Sequence, residues 1–242
     1  MESQVQLKWI TPLAENEIVE MARVSAPKNV KNMETGPNLL CYLIKHKHWS
    51  PFEMANMCLT ISTTRGITPQ ILRHRSFTFQ EFSLRYANTN EIGRIQTPEL
   101  RAQDFKNRQN STPDLKDKLG TERYAALQRR VSIHLEDAEH LYQELLSAGV
   151  AKECARFVLP LAAPSKLHMN GTLRSWMHYI DLRTSNGTQL EHKRIAYQCK
   201  QIFEKEIPII AKAMWSINHS RKISDRIEQA KNYFQQPKET ND

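Results

Sequence analysis

Residues 73–86 are Arg73-His74-Arg75-Ser76-Phe77-Thr78-Phe79-Gln80-Glu81-Phe82-Ser83-Leu84-Arg85-Tyr86, a stretch that sets three arginines and a histidine beside three phenylalanines. Guanidinium groups are forked donors that match phosphate oxygens, and they also stack on flat aromatic systems. The combination indicates an anionic, planar ligand such as a nucleotide or a flavin. From these residues alone, a basic helix face exposed to solvent remains an alternative.

This stretch resembles the signature of the flavin-dependent thymidylate synthases, which is Arg-His-Arg, two residues, Ser, four residues, Ser, one residue, Arg and Tyr. The matching positions are Arg73, His74, Arg75, Ser83, Arg85 and Tyr86. Thr78 replaces the first serine; it keeps a hydroxyl and adds a methyl group. Because the signature fixes many positions over a long spacing, it is more specific than a short motif. The resemblance implies an α+β fold, in which mixed helices accompany a small antiparallel sheet.

Further segments between Ser25 and about Glu191 carry the same resemblance. They are Ala22-Arg23-Val24-Ser25, His48-Trp49-Ser50-Pro51-Phe52-Glu53, Arg156-Phe157-Val158-Leu159-Pro160 and the segment 169–183, which resembles the second conserved helix of the family. The sequence departs from the family pattern at two positions in or after the last segment. Thr172 stands where the family often has Asn, and Gly187 stands where a flavin-contacting His is common.

The resemblance implies two sets of binding residues. Those expected to contact FAD are Ser25, His48, Ser50, Glu53, Arg73, His74, Arg75, Glu81, Arg174 and His178. Those expected to contact dUMP are Gln70, Arg73, Glu81, Phe82, Ser83, Leu84, Arg85, Arg156 and Arg183. Arg183 is also the catalytic candidate, because a fixed cation beside the uracil ring stabilises the charge that develops there during the reaction.

Local chemistry offers simpler interpretations for several of these residues. Ser25 could be a hydroxyl at a helix end, and Arg156 a solvated helix arginine. Arg183, near the end of a predicted helix, could only stabilise the negative end of the helix dipole. Ser83 has no evident histidine–carboxylate relay, so we interpret it as a substrate-positioning hydroxyl and not as a nucleophile.

The activity implied by the resemblance is the reductive methylation of dUMP to dTMP, a methyltransferase reaction. Methylenetetrahydrofolate supplies the carbon, and FAD reduced by NADPH supplies the hydride. The family resemblance also implies a homotetramer whose active sites are shared between subunits. None of the four cysteines lies in the motif of the thymidylate synthases that use a cysteine nucleophile, which suits a reaction without a covalent enzyme–substrate bond.

Composition is consistent with a soluble globular protein. The chain has 242 residues, of which 40% are hydrophobic and 25% charged, and we expect one family domain over 1–242 with a polar tail at 225–242. The net charge of +8 favours anionic partners. No membrane-spanning run or secretory signal is visible. Isolated cysteines indicate reduced thiols and a cytoplasmic location.

A metal site is not expected. His46 and His48 lie one residue apart with Glu53 nearby, which resembles a set of metal ligands. A zinc site, however, needs further ligands at useful spacing, and the sequence offers none.

Hydrophobic periodicity predicts the regular elements around these motifs. Strands are expected at 5–10 and, half-buried, at 57–62. A short helix at 68–73 should lead into an extended loop that carries the signature, and 88–119 should be irregular. The other predicted helices are 15–22, 39–47 with Asn38 as its cap, 122–147, 151–158, 173–183 after the cap Thr172, and 189–214 interrupted at Pro208.

Two alternative functions remain open from the sequence. A nucleic-acid-binding module could stack bases on a cationic, aromatic loop, and it would bind single strands in a salt-sensitive way. A flavoprotein of the same fold that has lost methylation activity would explain the departures at Thr78, Thr172 and Gly187.

Overall fold

The computed structural model describes residues 3–30 and 32–215, which contain both strands and helices. The strands are β1 (Gln4–Ile10), β2 (Asn56–Thr64), β3 (Thr78–Glu81), β4 (Ala102–Gln103), β5 (Ser111–Thr112) and β6 (Pro164–Thr172). The α-helices are α1 (Ala14–Ala22), α2 (Gly36–Lys45), α3 (Thr68–Ile71), α4 (Leu115–Leu119), α5 (Thr121–Ser147), α6 (Lys152–Ala155), α7 (Leu173–Arg183) and α8 (Leu190–Glu206). Mixed helices and a small antiparallel sheet confirm the predicted α+β class.

The chain divides into two compact units. One unit comprises the residues up to Thr11 together with Asn56–Ile202, and the other comprises Pro12–Ala55 and the residues from Phe203 onward. The expectation of one family domain over 1–242 stays a prediction. The predicted tail at 225–242 lies outside the described residues.

In the first unit, a four-stranded antiparallel sheet has the order β1-β2-β6-β3. β2 was expected to be half-buried, but Met57 through Ile61 are buried on both faces, because this strand lies inside the sheet between β1 and β6. β6 was not predicted at all. It pairs along its whole length with β2, from Asn56 opposite Thr172 to Thr64 opposite Pro164.

The start of α7 is fixed to this sheet. Thr172, the last residue of β6, caps the helix as predicted, since its hydroxyl accepts a hydrogen bond from the Ser175 amide at 3.2 Å. The Trp176 indole donates to the Met57 carbonyl at 2.8 Å. Phe77 then packs edge-on against Trp176 with ring centroids 4.9 Å apart. The segment that carries the signature is therefore anchored to both β6 and α7.

The long helix α5 confirms the predicted helix at 122–147 but not its burial. Only Leu135 and Tyr142 are buried among its 27 residues. Ile133 is 50% exposed and Leu141 is 45% exposed, although both are apolar. Part of the apolar surface of α5 is therefore accessible on the single chain.

In the second unit, α1 and α2 contribute a small apolar core, and Gly36 lies against Val19. α2 begins two residues before the predicted cap Asn38, with Pro37 in its first turn. Further along the chain, α8 ends at Glu206 and helical residues resume at 208–215, which confirms the predicted interruption at Pro208.

Along residues 3–30 and 32–215, no helix combines the length and the apolar character that crossing a bilayer requires.

Gly171 is required for the packing of the signature segment. A Cβ atom at this position would lie 2.5 Å from Cδ1 of Phe77. We expect Gly171→Ala to lower the free energy of unfolding by about 1–3 kcal/mol, because overpacking would force the ring away from Trp176. Urea denaturation measures this, with Gly66→Ala as the control because its nearest neighbour is at 3.4 Å. Equal stabilities of the two variants would contradict this packing argument.

Candidate active site

The signature segment forms a tight turn followed by a strand, not the predicted extended loop. α3 ends at Ile71, and its carbonyl accepts a hydrogen bond from the His74 amide at 3.1 Å. The Phe77 amide then donates to the His74 carbonyl at 3.2 Å. From Thr78 onward the chain pairs with β6 as the edge strand β3. The turn thus places successive side chains on different sides of the backbone.

Cations and phenylalanine rings of this segment separate from one another, whereas Tyr86 is exposed beside Arg85. Arg73 and Arg75 are exposed, whereas His74 and Phe77 are buried, and Phe79 is half-buried. A module that stacks bases would need these rings exposed. The arrangement therefore disfavours the nucleic-acid-binding alternative.

His74 is the buried centre of the turn and contacts the catalytic candidate. The Nε of Arg183 donates a hydrogen bond to Nε2 of His74 at 2.9 Å. Burial, followed by the charges of Arg183 and His178, lowers the pKa of His74 to about 4. His74 is therefore neutral near pH 7, with its proton on Nδ1. His74 carries no positive charge at this pH, and the arginines of the signature, not His74, supply charge to a bound phosphate.

A second buried histidine joins this cluster, and sequence reasoning missed it. His192 is fully buried, and its Nε2 lies 3.0 Å from the Tyr179 hydroxyl. Its Nδ1 lies 3.3 Å from Oε1 of Gln70. Burial, followed by the charges of Arg183 and His74, lowers the pKa of His192 to about 3. The predicted dUMP residue Gln70 is thus held by a neutral imidazole.

The second half of the signature is held by β6. The Ser165 hydroxyl donates to Oε1 of Glu81 at 2.8 Å, and the Phe82 amide donates to the Lys166 carbonyl at 2.8 Å. Ser83 accepts a hydrogen bond from the Arg85 amide at 3.3 Å, which orients its hydroxyl locally. Phe82 is half-buried.

Leu84 lies next to Ser83, but its side chain is only 2% exposed. The whole residue is therefore almost inaccessible in the single chain, and nothing in its surroundings singles out a contact with dUMP.

Two predicted phosphate-binding arginines converge on one residue. A terminal nitrogen of Arg85 lies 3.5 Å from Oε2 of Glu153, and Nε of Arg156 donates to the Glu153 carbonyl at 3.3 Å. Lys152, which the sequence reasoning missed, donates to the Tyr86 carbonyl at 2.8 Å. Arg85, Lys152 and Arg156 therefore all contact residues of α6 or of the end of the signature, and a group of cations in these segments suits a phosphate dianion.

The predicted flavin contacts of the first unit lie on neighbouring elements. Arg174 and His178 are exposed on the same face of α7, one helical turn apart. The Ser175 hydroxyl donates to the Ser76 carbonyl at 3.3 Å, which joins the first turn of α7 to the turn bearing Arg75. The structure thus brings arginines of the signature and of α7 to adjacent positions.

These donors fit a flavin dinucleotide. Its pyrophosphate needs several guanidinium groups, and exposed arginines are present at 73, 75 and 174. In addition, Oδ1 of Asn170 is buried without a hydrogen-bond partner among the described residues. An acceptor of this kind suits the N–H and hydroxyl donors that a flavin and its ribityl chain carry.

The remaining predicted flavin residues lie in the second unit. Ser50 and Glu53 begin and end one turn of 3-10 helix, which follows directly after His48. His48, Ser50 and Glu53 are all exposed, as is Ser25 beyond the end of α1. Within residues 3–30 and 32–215, no group of three or more histidine, cysteine or carboxylate side chains is placed to hold a metal ion.

The three departures from the family pattern have local roles. The Thr78 hydroxyl donates to the Asn170 carbonyl at 3.4 Å, and Thr172 caps α7. Gly187 has a φ of +98°, a conformation that side chains rarely adopt, although a Cβ there would meet nothing within 4 Å. A histidine at 187 would require a different turn, not more space.

Comparison with known proteins identifies close relatives. Residues 6–209 match the family described as "Thymidylate synthase complementing protein". The chain is 52% identical over 204 residues to a "Probable flavin-dependent thymidylate synthase" of Paramecium bursaria Chlorella virus 1, covering 83% of this chain and 90% of the relative. It is 46% identical over 200 residues to a "Flavin-dependent thymidylate synthase" of Synechocystis sp., covering 81% and 87%. A relative of the same description from Thermosipho melanesiensis is 30% identical over 213 residues, covering 87% and 90%.

The buried neutral histidines predict a pH dependence of stability. His74 and His192 have pKa values of about 4 and about 3, well below the ~6.5 of an unfolded chain. Between pH 6.5 and 4 the unfolded chain binds more protons, so the free energy of unfolding should fall as the pH is lowered through this window. Urea denaturation from pH 7 to pH 4.5 measures the slope.

We expect the slope to be shallower in His74→Asn, and unchanged in the control His134→Asn because His134 is an exposed histidine of α5. Identical slopes in the wild type and His74→Asn would show that His74 does not titrate in this way.

Proposed function

The chain belongs to the flavin-dependent thymidylate synthase family, and we propose that it converts dUMP to dTMP by reductive methylation. Methylenetetrahydrofolate is the carbon donor. FAD, once reduced, supplies the hydride, and NADPH is the proposed reductant. The observation that carries the proposal beyond family membership is the 2.9 Å hydrogen bond that fixes Arg183 against neutral His74.

Arg183 is the proposed catalytic residue. A guanidinium has five N–H donors, and His74 accepts the one on Nε. The two terminal nitrogens remain to meet the uracil ring, whose carbonyl region gains negative charge as C5 attacks the carbon donor. A cation that is already oriented stabilises that charge without reorganising during the reaction.

The remaining dUMP contacts follow from the positions of the side chains. Arg85 and Arg156 bind the phosphate, beside the newly identified Lys152. Gln70, Glu81 and Ser83 hold the sugar and base, and Arg73 contributes a further positive charge. Phe82 and Leu84 belong to the same part of the signature and complete the proposed dUMP set.

We propose that Arg73, His74, Arg75, Glu81, Arg174 and His178 of the first unit bind FAD. Ser25, His48, Ser50 and Glu53 are further proposed FAD contacts, as the family resemblance implies. Because His74 is neutral, it contributes a hydrogen bond and not a charge to this set. The arginines supply the charge that the pyrophosphate requires.

A homotetramer with shared active sites is part of the proposal. The half-exposed apolar side chains of α5, Ile133 and Leu141, support it because association would remove apolar surface from water. We also propose a cytoplasmic location, which four free cysteines support. Neither a nucleic acid nor a membrane is a proposed partner.

Arg183→Ala tests the proposed catalytic role. We expect the purified wild type to be yellow and to oxidise reduced flavin in the presence of dUMP and methylenetetrahydrofolate, with dTMP formed. The variant should lose about 10²–10³-fold in kcat while it keeps its flavin absorbance, because an oriented cation at the ring is missing. Arg123→Ala, an exposed arginine of α5, is the matched control.

If Arg183→Ala forms dTMP at the rate of the control, Arg183 has no catalytic role. A wild type that oxidises flavin without forming dTMP would instead favour the flavoprotein that has lost methylation activity.

Glu153→Gln tests the proposed phosphate site. The Glu153 carboxylate pairs with Arg85 at 3.5 Å, where both side chains are more than half exposed, so it competes weakly with a phosphate for that arginine. We expect the variant to lower the KM for dUMP by about 1.5- to 5-fold, and Arg85→Ala to raise it. Deoxyuridine, which lacks the phosphate, serves as the control substrate. An unchanged KM in both variants would place the phosphate elsewhere.

A further inference from the structure

Gln70 lies in a continuous series of polar contacts within the first unit. Its Nε2 donates to Oε1 of Gln189 at 2.6 Å. Gln189 in turn donates through Nε2 to Oε2 of Glu191 at 3.0 Å. On the other side, Oε1 of Gln70 lies 3.3 Å from His192, whose second nitrogen meets Tyr179. The proposed substrate residue is therefore held at both ends of its amide.

The charge of Glu191 dictates the direction of every bond in this series. A carboxylate can only accept, so the Gln189 amide nitrogen must face it and the Gln189 oxygen must face Gln70. The Gln70 nitrogen then faces Gln189, which leaves its oxygen facing His192. His192 must donate from Nδ1, and its Nε2 must accept from the Tyr179 hydroxyl. One carboxylate thus removes the ambiguity that glutamine and histidine side chains otherwise have.

Glu191 is itself fixed by an arginine from a distant segment. Nη2 of Arg101 lies 2.6 Å from Oε1 of Glu191, and the Arg101 side chain is only 10% exposed. Arg101 also donates to the Ser111 hydroxyl at 2.7 Å and to Glu99 at 3.1 Å. Hydrogen bonding and the Arg101 charge lower the pKa of Glu191 against the opposing effect of its burial. The carboxylate is therefore ionised, and Arg101 holds it in place.

We propose that Glu191 and His192 are positioning residues that set the orientation of the Gln70 amide toward the pyrimidine nucleotide. This inference rests on the proposed function, in which Gln70 contacts dUMP. Each end of the Gln70 amide has one further hydrogen-bonding position, a second N–H and a second oxygen lone pair. Without Glu191 the amide can turn over, and it then presents an acceptor where the nucleotide needs a donor.

Glu191→Gln is the sharpest test, because it keeps the shape of the side chain while it removes the charge that pairs with Arg101 and, with it, the restriction to accepting. We expect the Kd for dUMP, measured by calorimetry, and the KM for dUMP to rise about 3- to 10-fold. kcat at saturating dUMP and the flavin content should stay near the wild type. Glu122→Gln, an exposed glutamate in the first turn of α5, should change neither constant.

A double-mutant cycle separates positioning from general stability. In a Gln70→Ala background, Glu191→Gln should have no further effect on the Kd for dUMP, because the amide that it orients is absent. An additive loss of affinity would overturn the proposal. So would a Glu191→Gln variant that binds dUMP as tightly as the wild type.

Substitutions of His192 test the same inference independently. His192→Gln retains a donor and an acceptor and should keep most of the affinity for dUMP, whereas His192→Leu should lose as much as Glu191→Gln. Equal affinities of the two His192 variants would contradict the inference. A wild type that does not bind dUMP at all would instead refute the proposed function.

Discussion

The hydrogen bond from Arg183 to His74 is the constraint on which the candidate site depends. It joins the turn before β3 to the last residue of α7, and so connects two parts of the chain that are 109 residues apart. The bond exists only while His74 is neutral, because an imidazolium has no acceptor. Burial and the nearby guanidinium both favour the neutral form. The same contact therefore sets the protonation of the histidine and the direction of the arginine.

Both partners are in place because they are fixed to one strand. Phe77, three residues after His74, packs over Gly171 of β6 and against Trp176 of α7. Thr172, the next residue of β6, caps α7 and so sets where the helix begins. The turn and the helix are thus both fixed to the same strand of the sheet. Small residues at the end of β6 allow the turn and α7 to approach each other closely.

Local sequence patterns were sufficient to predict part of this architecture. Helix α5 has an unbroken helical period, and Pro208 cannot continue a helix, so both were predicted. β6 was missed because its alternation of Leu167 and Met169 with polar residues is short and ends at Gly171, and the strand exists through its pairing with two neighbours. The family resemblance supplied Arg183 and His74 as site residues, but their burial and protonation depend on tertiary packing. The sequence did not indicate that His192 belongs to the site, because a histidine buried in the core occupies the same helical spacing as an apolar residue.

The most direct test of the central claim is the protonation state of His74, followed by ¹⁵N NMR of the imidazole nitrogens between pH 5 and 8. We expect the His74 ring to be neutral, with its proton on Nδ1, throughout this range. In a variant that lacks Arg183, the Nε2 resonance of His74 should shift. A ring that is an imidazolium at pH 7, or an Nε2 resonance indifferent to Arg183, would contradict the central claim.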